Sequence, residues 1–300
     1  MAYEDCISNV KLMPCFLTLC FRKDVSGTTD LIDASPKTME GKWVELSKVW
    51  VTRNADVYLR LYKDGTDRTD CPTMSLPELD TVIPGDLGII NTRRFKAELY
   101  STTTVTGYIC RLGIWVFEPT IADKVNMGID LTEEEMGIAT DVDLFTRFTK
   151  GLIPFSRDQY VKRIFHHVNK YVKAIQIDLG TGGARYQEYN ADPEQIIVLE
   201  GLSTMDTSAT TTNAYVTVYV DEKELITFPC PCLSIDYDIP LFIPAKDEIT
   251  LEFSTDTTIS EFKARWRVGV YRFNDRLKMM FGVYDRAVNE DLWKEVKAGV

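Results

Sequence analysis

His166 and His167 stand side by side and are the only histidines in the chain. The stretch from Ser156 to about His167 reads as a helix, and neighbours on a helix point about 100° apart. Such a pair cannot clamp a metal as an i, i+4 pair does. It predicts histidines in a last helical turn, where an imidazolium meets the negative end of the helix dipole. The seven cysteines are Cys6, Cys15, Cys20, Cys71, Cys110, Cys230 and Cys232. Their spacing matches no zinc pattern. Cys230 and Cys232 flank Pro231 and, if extended, would share one side of a strand. That is half a metal site with no second pair nearby in sequence. The cysteines read as small buried hydrophobes in a chain made in a reducing compartment. No spacing supports a Cys–His nucleophilic pair.

The acidic and glycine-rich candidates resolve in the same way. Asp64, Asp67 and Asp70 crowd one loop, as calcium ligands do, but the spacing is not that of an EF-hand and Arg68 sits among them. They predict a solvated turn, where Asp bonds to its own backbone. Glu133-Glu134-Glu135 reads as the charged first turn of a helix. Gly180-Thr181-Gly182-Gly183 would need a helix after it to cradle a phosphate. Ala184-Arg185-Tyr186 looks like a strand instead, so a hairpin turn within Lys170 to Tyr189 is expected. No P-loop, GxGxxG or GxSxG is present. The 45 acidic residues offer too many pairs to select glycosidase carboxylates. The expectation is therefore no catalytic residue, no cofactor, no metal and no enzyme.

The elements that carry these residues are short strands. Apolar residues make up 45% and charged residues 26% of the 300, which suits a globular chain with room for two domains. The net charge of −11 argues against direct nucleic-acid binding, which needs clustered Lys and Arg. No apolar run is long enough for a transmembrane segment. Leu12 to Phe21 is broken by Pro14, follows Glu4 and Asp5, and predicts a strand rather than a secretory signal.

An internal repeat organises the strands. Tyr58-Leu59-Arg60-Leu61-Tyr62-Lys63-Asp64 resembles Tyr215-Val216-Thr217-Val218-Tyr219-Val220-Asp221. Arg111-Leu112-Gly113-Ile114-Trp115-Val116-Phe117 resembles Arg267-Val268-Gly269-Val270-Tyr271-Arg272-Phe273. Asp143-Leu144-Phe145 and Gly151 resemble Asp291-Leu292-Trp293 and Gly299, and Ala34-Ser35-Pro36 resembles Ala191-Asp192-Pro193. The first two anchors alternate with period two, the mark of a half-buried strand. Strands are expected at Trp43 to Val51, Val57 to Lys63, Phe95 to Ser101 and Tyr108 to Phe117. Their counterparts are Ile196 to Leu202, Ala214 to Val220, Ile249 to Ser254 and Phe262 to Phe273. Turns fall at Lys63-Asp64-Gly65, Pro84-Gly85-Asp86 and Pro244-Ala245-Lys246-Asp247. Val10 to Phe21 adds a further strand. The fold class is mainly β: two tandem antiparallel β-sandwich or jelly-roll domains, 1–151 and 152–300, each followed by short helices.

Those helices start where Thr132 can cap and Glu135 can answer it. Asp143 to Lys150 places Leu144, Phe145 and Phe148 on one face and stops at Gly151, with Pro154 beyond. Asn289 to Ala298 places Leu292, Trp293 and Val296 in matching positions. Such apolar stripes most often pack on the chain's own sheet; the sharper reading makes these six residues a candidate interaction surface, since an exposed stripe of that size is costly in a monomer.

With the repeats and tails in place, the layout resembles the double jelly-roll major capsid proteins of tailless DNA viruses of archaea and bacteria. The likeness spans nearly the whole chain and is one of architecture, with no family motif. It implies self-association, with a trimer presenting six similar lateral surfaces, contact with other virion proteins, and a virion location after synthesis in a host cytoplasm. At 300 residues the chain leaves little room for the tower insertions of larger members. A different use of the same fold is a carbohydrate-binding or adhesion module, with Trp50, Tyr58, Tyr62, Trp115, Tyr186 and Tyr189 as stacking platforms.

Overall fold

The computed structural model describes residues 3–10, 14–79, 87–141, 157–205, 214–233, 238–283, 287 and 289–299. In the first half the order is α1 (Tyr3–Asn9), β1 (Cys15–Ala34), α2 (Pro36–Met39), β2 (Trp43–Val51), β3 (Val57–Lys63), β4 (Asp67–Pro72), β5 (Ile89–Asn91) and β6 (Phe95–Phe117). The helices α3 (Ile121–Asn126), α4 (Glu133–Asp141) and α5 (Arg157–Ile164) follow. The second half runs β7 (His166–Leu179), β8 (Ala184–Tyr189), β9 (Gln195–Met205), β10 (Ala214–Val220), β11 (Lys223–Pro229), β12 (Ile239–Ala245), β13 (Glu248–Thr255) and β14 (Ile259–Arg272). It closes with α6 (Asp275–Met280) and α7 (Glu290–Ala298).

Every ladder between these strands is antiparallel. In the second half they form two arrays, β7-β14-β9-β12 and β8-β13-β10-β11. Two such arrays of four strands facing one core are a jelly roll. The first half builds the same pairing order from fewer, longer strands. Cys15–Val25 of β1 lies against Val105–Val116 of β6, and Gly27–Ala34 against Phe95–Ser101. The far ends of β6 then pair with β2 and β3, which pair with β5 and β4. The arrays are thus β1-β6-β2-β5 and β1-β6-β3-β4. Register shifts between Lys23 and Gly27, with Gly27 at φ 66°, bend β1 from one array into the other. Where the first roll bends one strand, the second uses two: β7 and β8 for β1, β13 and β14 for β6.

Period-two patterning sets which side chains face in. Leu59 and Leu61 on β3, and Val216 and Val218 on β10, are buried, while Tyr58 and Tyr215 are exposed. Each fully buried Val or Leu contributes on the order of 1.5–3 kcal/mol. The interiors of both rolls merge into one apolar core, to which α1 adds Cys6 and Ile7.

The two rolls meet edge to edge. Phe16 of β1 pairs with Phe242 of β12, and Thr18 Oγ1 donates to the Pro240 carbonyl at 2.6 Å. Arg111 Nε donates to the Cys232 carbonyl at 2.9 Å, a second tie across the halves. Helices cover the outer face of the joined sheet. Val161 and Ile164 of α5 and Leu277 of α6 bury against Trp43, Phe117, Ile196 and Val198. Ile121 of α3, Ile138 and Ala139 of α4 and Ala298 of α7 form a further small core.

The expected strands and the Thr132–Glu135 cap are present: Thr132 N donates to Glu135 Oε2 at 3.1 Å and Glu135 N to Thr132 Oγ1 at 3.2 Å. Four expectations change. A helix, α1, precedes β1, which begins at Cys15 rather than near Val10. Phe95 to Phe117 is one strand, since β1 pairs along both its ends. The helix opening the second half stops at Ile164, so His166 and His167 begin β7 instead. The turn at Gly180 is real, with Gly183 N bonded to Gly180 O at 2.9 Å, but it closes no hairpin. It carries the chain from β7 in one sheet to β8 in the other. The Pro84-Gly85-Asp86 turn, the Asp143 to Lys150 helix, Gly151, Pro154 and the expected boundary at 151/152 lie outside the described residues.

Candidate functional site

The acidic loop is built as scaffold. Asp64 sits at φ 48°, and its Oδ1 accepts from the Thr92 and Arg93 amides at 2.6 and 2.8 Å. Its repeat partner Asp221, at φ 46°, accepts from the Asp247 and Glu248 amides at 2.8 and 3.0 Å. Each carboxylate ties the end of one strand to the turn ahead of another. Asp70 pairs with Arg68 at 2.9 Å. Among the described residues no group of three or more His, Cys, Asp or Glu is placed to hold a metal.

None of the seven cysteines forms a disulfide. Cys230 and Cys232 lie in a short 3-10 turn after β11 rather than on one side of a strand. Cys20, Cys110 and Cys232 share one buried neighbourhood. Burial pushes the Cys20 thiol up to about 11 despite the nearby Arg111 guanidinium. These thiols stay protonated and unreactive at neutral pH.

The six aromatic residues proposed as platforms are scattered. Trp50 and Trp115 are buried. Tyr186 packs against Phe253 and Trp266, and the Tyr62 hydroxyl donates to Glu98 at 2.8 Å. Tyr58 and Tyr189 are exposed, one on each roll.

The interaction residues on α7 are half-buried. Trp293 packs on the small core of Ile121, Ile138 and Ala298. Together with Val296, Phe117, Arg157 and Met280 it lines a cavity of about 320 Å³ between the helices. The Arg157 guanidinium lies 3.5 Å from the Phe117 ring centre and pairs with Asp123 at 2.5 Å. Lys297 reaches Glu134 at 2.8 Å, which ties α7 to α4. Leu144, Phe145 and Phe148 lie outside the described residues.

The feature that sequence reasoning missed is the seam. A groove of about 310 Å³ follows it on the outer face, lined by Phe16, Trp115, Phe165, Phe242, Tyr271 and Lys48 among others. The rings stack edge-on or tilted: Phe16–Trp115 at 5.2 Å, Trp115–Phe242 at 5.9 Å, Phe165–Phe242 at 4.9 Å and Phe165–Tyr271 at 5.9 Å between centres. Each such pair adds roughly 0.5–1.5 kcal/mol beyond area burial. The Tyr271 hydroxyl donates to the buried Glu200, which also meets Lys170 at 3.0 Å. Burial, then the Glu200 carboxylate, raises the Tyr271 hydroxyl well above its usual range. Glycines make room for this arrangement. A Cβ at Gly113 would lie 2.8 Å from the Phe16 ring, and one at Gly269 would lie 2.5 Å from Glu200 Oε1. The signal was present in the repeat, as the glycine shared by Arg111-Leu112-Gly113 and Arg267-Val268-Gly269. Chemically the seam is a clamp that fixes one roll against the other.

No protein-family model matches the sequence, and no curated protein is a significant match. Among solved structures the chain is similar to a chain described with the triple jelly roll fold and turret assembly of an archaeal virus, at 8% identity and a TM-score of 0.25. It is similar to a chain of the Sulfolobus turreted icosahedral virus at 9% identity and 0.23. Each likeness covers 86% of this chain, which spans 56% of the length of those two. A cupin 2 conserved barrel domain protein from Leptotrichia buccalis shows 9% identity and 0.20, over 85% of this chain and 89% of that one. Likeness of this size reaches viral and cupin chains alike and selects no function.

Proposed function

We propose that this chain is a structural, non-catalytic subunit of a virion that assembles with copies of itself, with a trimer as the unit. One observation carries the reading. Two jelly rolls of the same strand order lie edge to edge in one chain, clamped by the Phe16–Phe242 seam and a shared layer of helices. A rigid pair of similar rolls offers similar lateral surfaces, as a closed assembly of identical parts requires. The repeat anchors fall at matching positions, β3 with β10 and β6 with β14, which supports one duplicated unit of about half the chain. On this reading the units are 1–151 and 152–300. The net charge of −11 suits an exposed shell rather than a nucleic-acid contact. Synthesis in a host cytoplasm fits seven cysteines without a disulfide. Other virion proteins are the further partners.

Negative-stain electron microscopy of the purified chain tests this. Rings, trimers or shells are expected as concentration rises. Single particles of one chain at every concentration would overturn it.

A further inference from the structure

The seam inside the chain joins two particular strand positions. In the array β1-β6-β2-β5 the first-roll strand at the seam is β1, and in β7-β14-β9-β12 the second-roll strand is β12. The opposite ends of the same two arrays are β7 and β5. Among the described residues β7 pairs only with β14, and β5 only with β2. β7 occupies in the second roll the position of β1 in the first, and β5 that of β12.

An open edge of 14 residues invites pairing with another chain, and proteins usually guard such edges with charge. The charges of β7 are engaged with its own roll. Lys170 Nζ meets Glu200 at 3.0 Å, and Lys173 Nζ meets the buried Glu188 at 2.6 Å. What the strand presents outward includes Val168 and Val172, 50% and 57% exposed. The β5 end offers matching apolar chemistry: Leu87 is 48% exposed, and Ile89 and Ile90 are half-buried.

Resting on the assembly reading above, we propose that β7 of one copy lies against β5 of a second copy of this chain. The contact between chains then repeats the contact within the chain. It is head-to-tail: each copy uses a different edge for each neighbour, so the chain of contacts closes into a ring or continues.

Head-to-tail pairing makes a complementation test available. The Val168→Lys/Val172→Lys variant blocks the β7 edge at exposed positions. The Leu87→Lys/Ile90→Lys variant blocks the β5 edge. Val168→Ile/Val172→Ile keeps an apolar edge as control. Masses are read by light scattering after gel filtration, with circular dichroism as the check on folding. The wild type and the isoleucine control are expected to assemble, and each lysine variant to run as one chain. An equal mixture of the two lysine variants is expected to give a two-chain species and nothing larger, because one intact edge of each kind remains. If the wild type assembles and the β7 variant assembles equally well, the edge proposal fails while the assembly reading stands. A two-chain species from the β5 variant alone means β7 pairs with itself and overturns head-to-tail order. A mixture that stays single overturns it too. A wild type that never assembles overturns the assembly reading itself.

Discussion

Asp64 and Asp221 hold left-handed backbone at the ends of β3 and β10 and accept two or more amides each from a turn 25 or more residues away. Replacing either by Ala leaves those amides without their acceptor and is expected to cost about 1–2 kcal/mol, read as a lower urea midpoint at unchanged slope. The position of both residues was legible in the repeat. Their role was not, because the amides they hold are distant in sequence. Acid stability follows from similar contacts. The Arg94 hydrogen bond, working against burial, holds the Asp33 carboxyl below its usual 3.8. Glu98 is also lowered: burial opposes the shift, and Lys96 and Tyr62 outweigh it. Folded-state values below the unfolded ones give stability that is present above the unfolded values and lost as pH falls through the folded ones. The melting temperature is therefore expected to drop as pH falls below about 4, and Asp33→Asn to show a shallower drop. Cysteine chemistry gives a sharper count. Six of the seven thiols are buried and Cys71 is half-buried. A thiol reagent at neutral pH is expected to label Cys71 first in the native chain, and rapid labelling of all seven would contradict the burial.

Strands were the most legible elements, because alternation of apolar and polar residues records which side chains face in. It does not record which sheet a strand joins. Lys170 to Tyr189 carries the alternation and turn of a hairpin, yet β7 and β8 lie in opposite sheets. The bend that lets β1 serve both arrays was hidden for the same reason: it rests on bulges near Gly27, which periodicity skips. The seam was hidden more deeply, since Phe16 and Phe242 are far apart in sequence and meet through one strand pair. The clamp predicts coupling between the rolls. Phe242→Ala removes a ring that contacts Trp115, Phe165 and Tyr271. It is expected to cost about 2–4 kcal/mol, towards the low end for a half-buried ring. It should also split urea unfolding into two transitions, which tryptophan fluorescence and circular dichroism would report at different midpoints.

As a whole molecule the chain is a pair of rolls with helices on one face and an acidic surface, and among the described residues β7 and β5, at opposite ends of the joined arrays, each pair on one side only. The helices α3, α4 and α7 join in one small core, so the tails bind the two halves rather than trail from them. Trp293 packs on that core and stays half-buried, and β7 and the segment beside β5 add exposed apolar residues of their own, Val168, Val172 and Leu87. The central claim is that copies of this chain associate. Sedimentation equilibrium over a wide concentration range tests it most directly. Masses are expected to rise to whole multiples of 34.2 kDa, with three chains as the principal species. A single mass of 34.2 kDa at every concentration would contradict it.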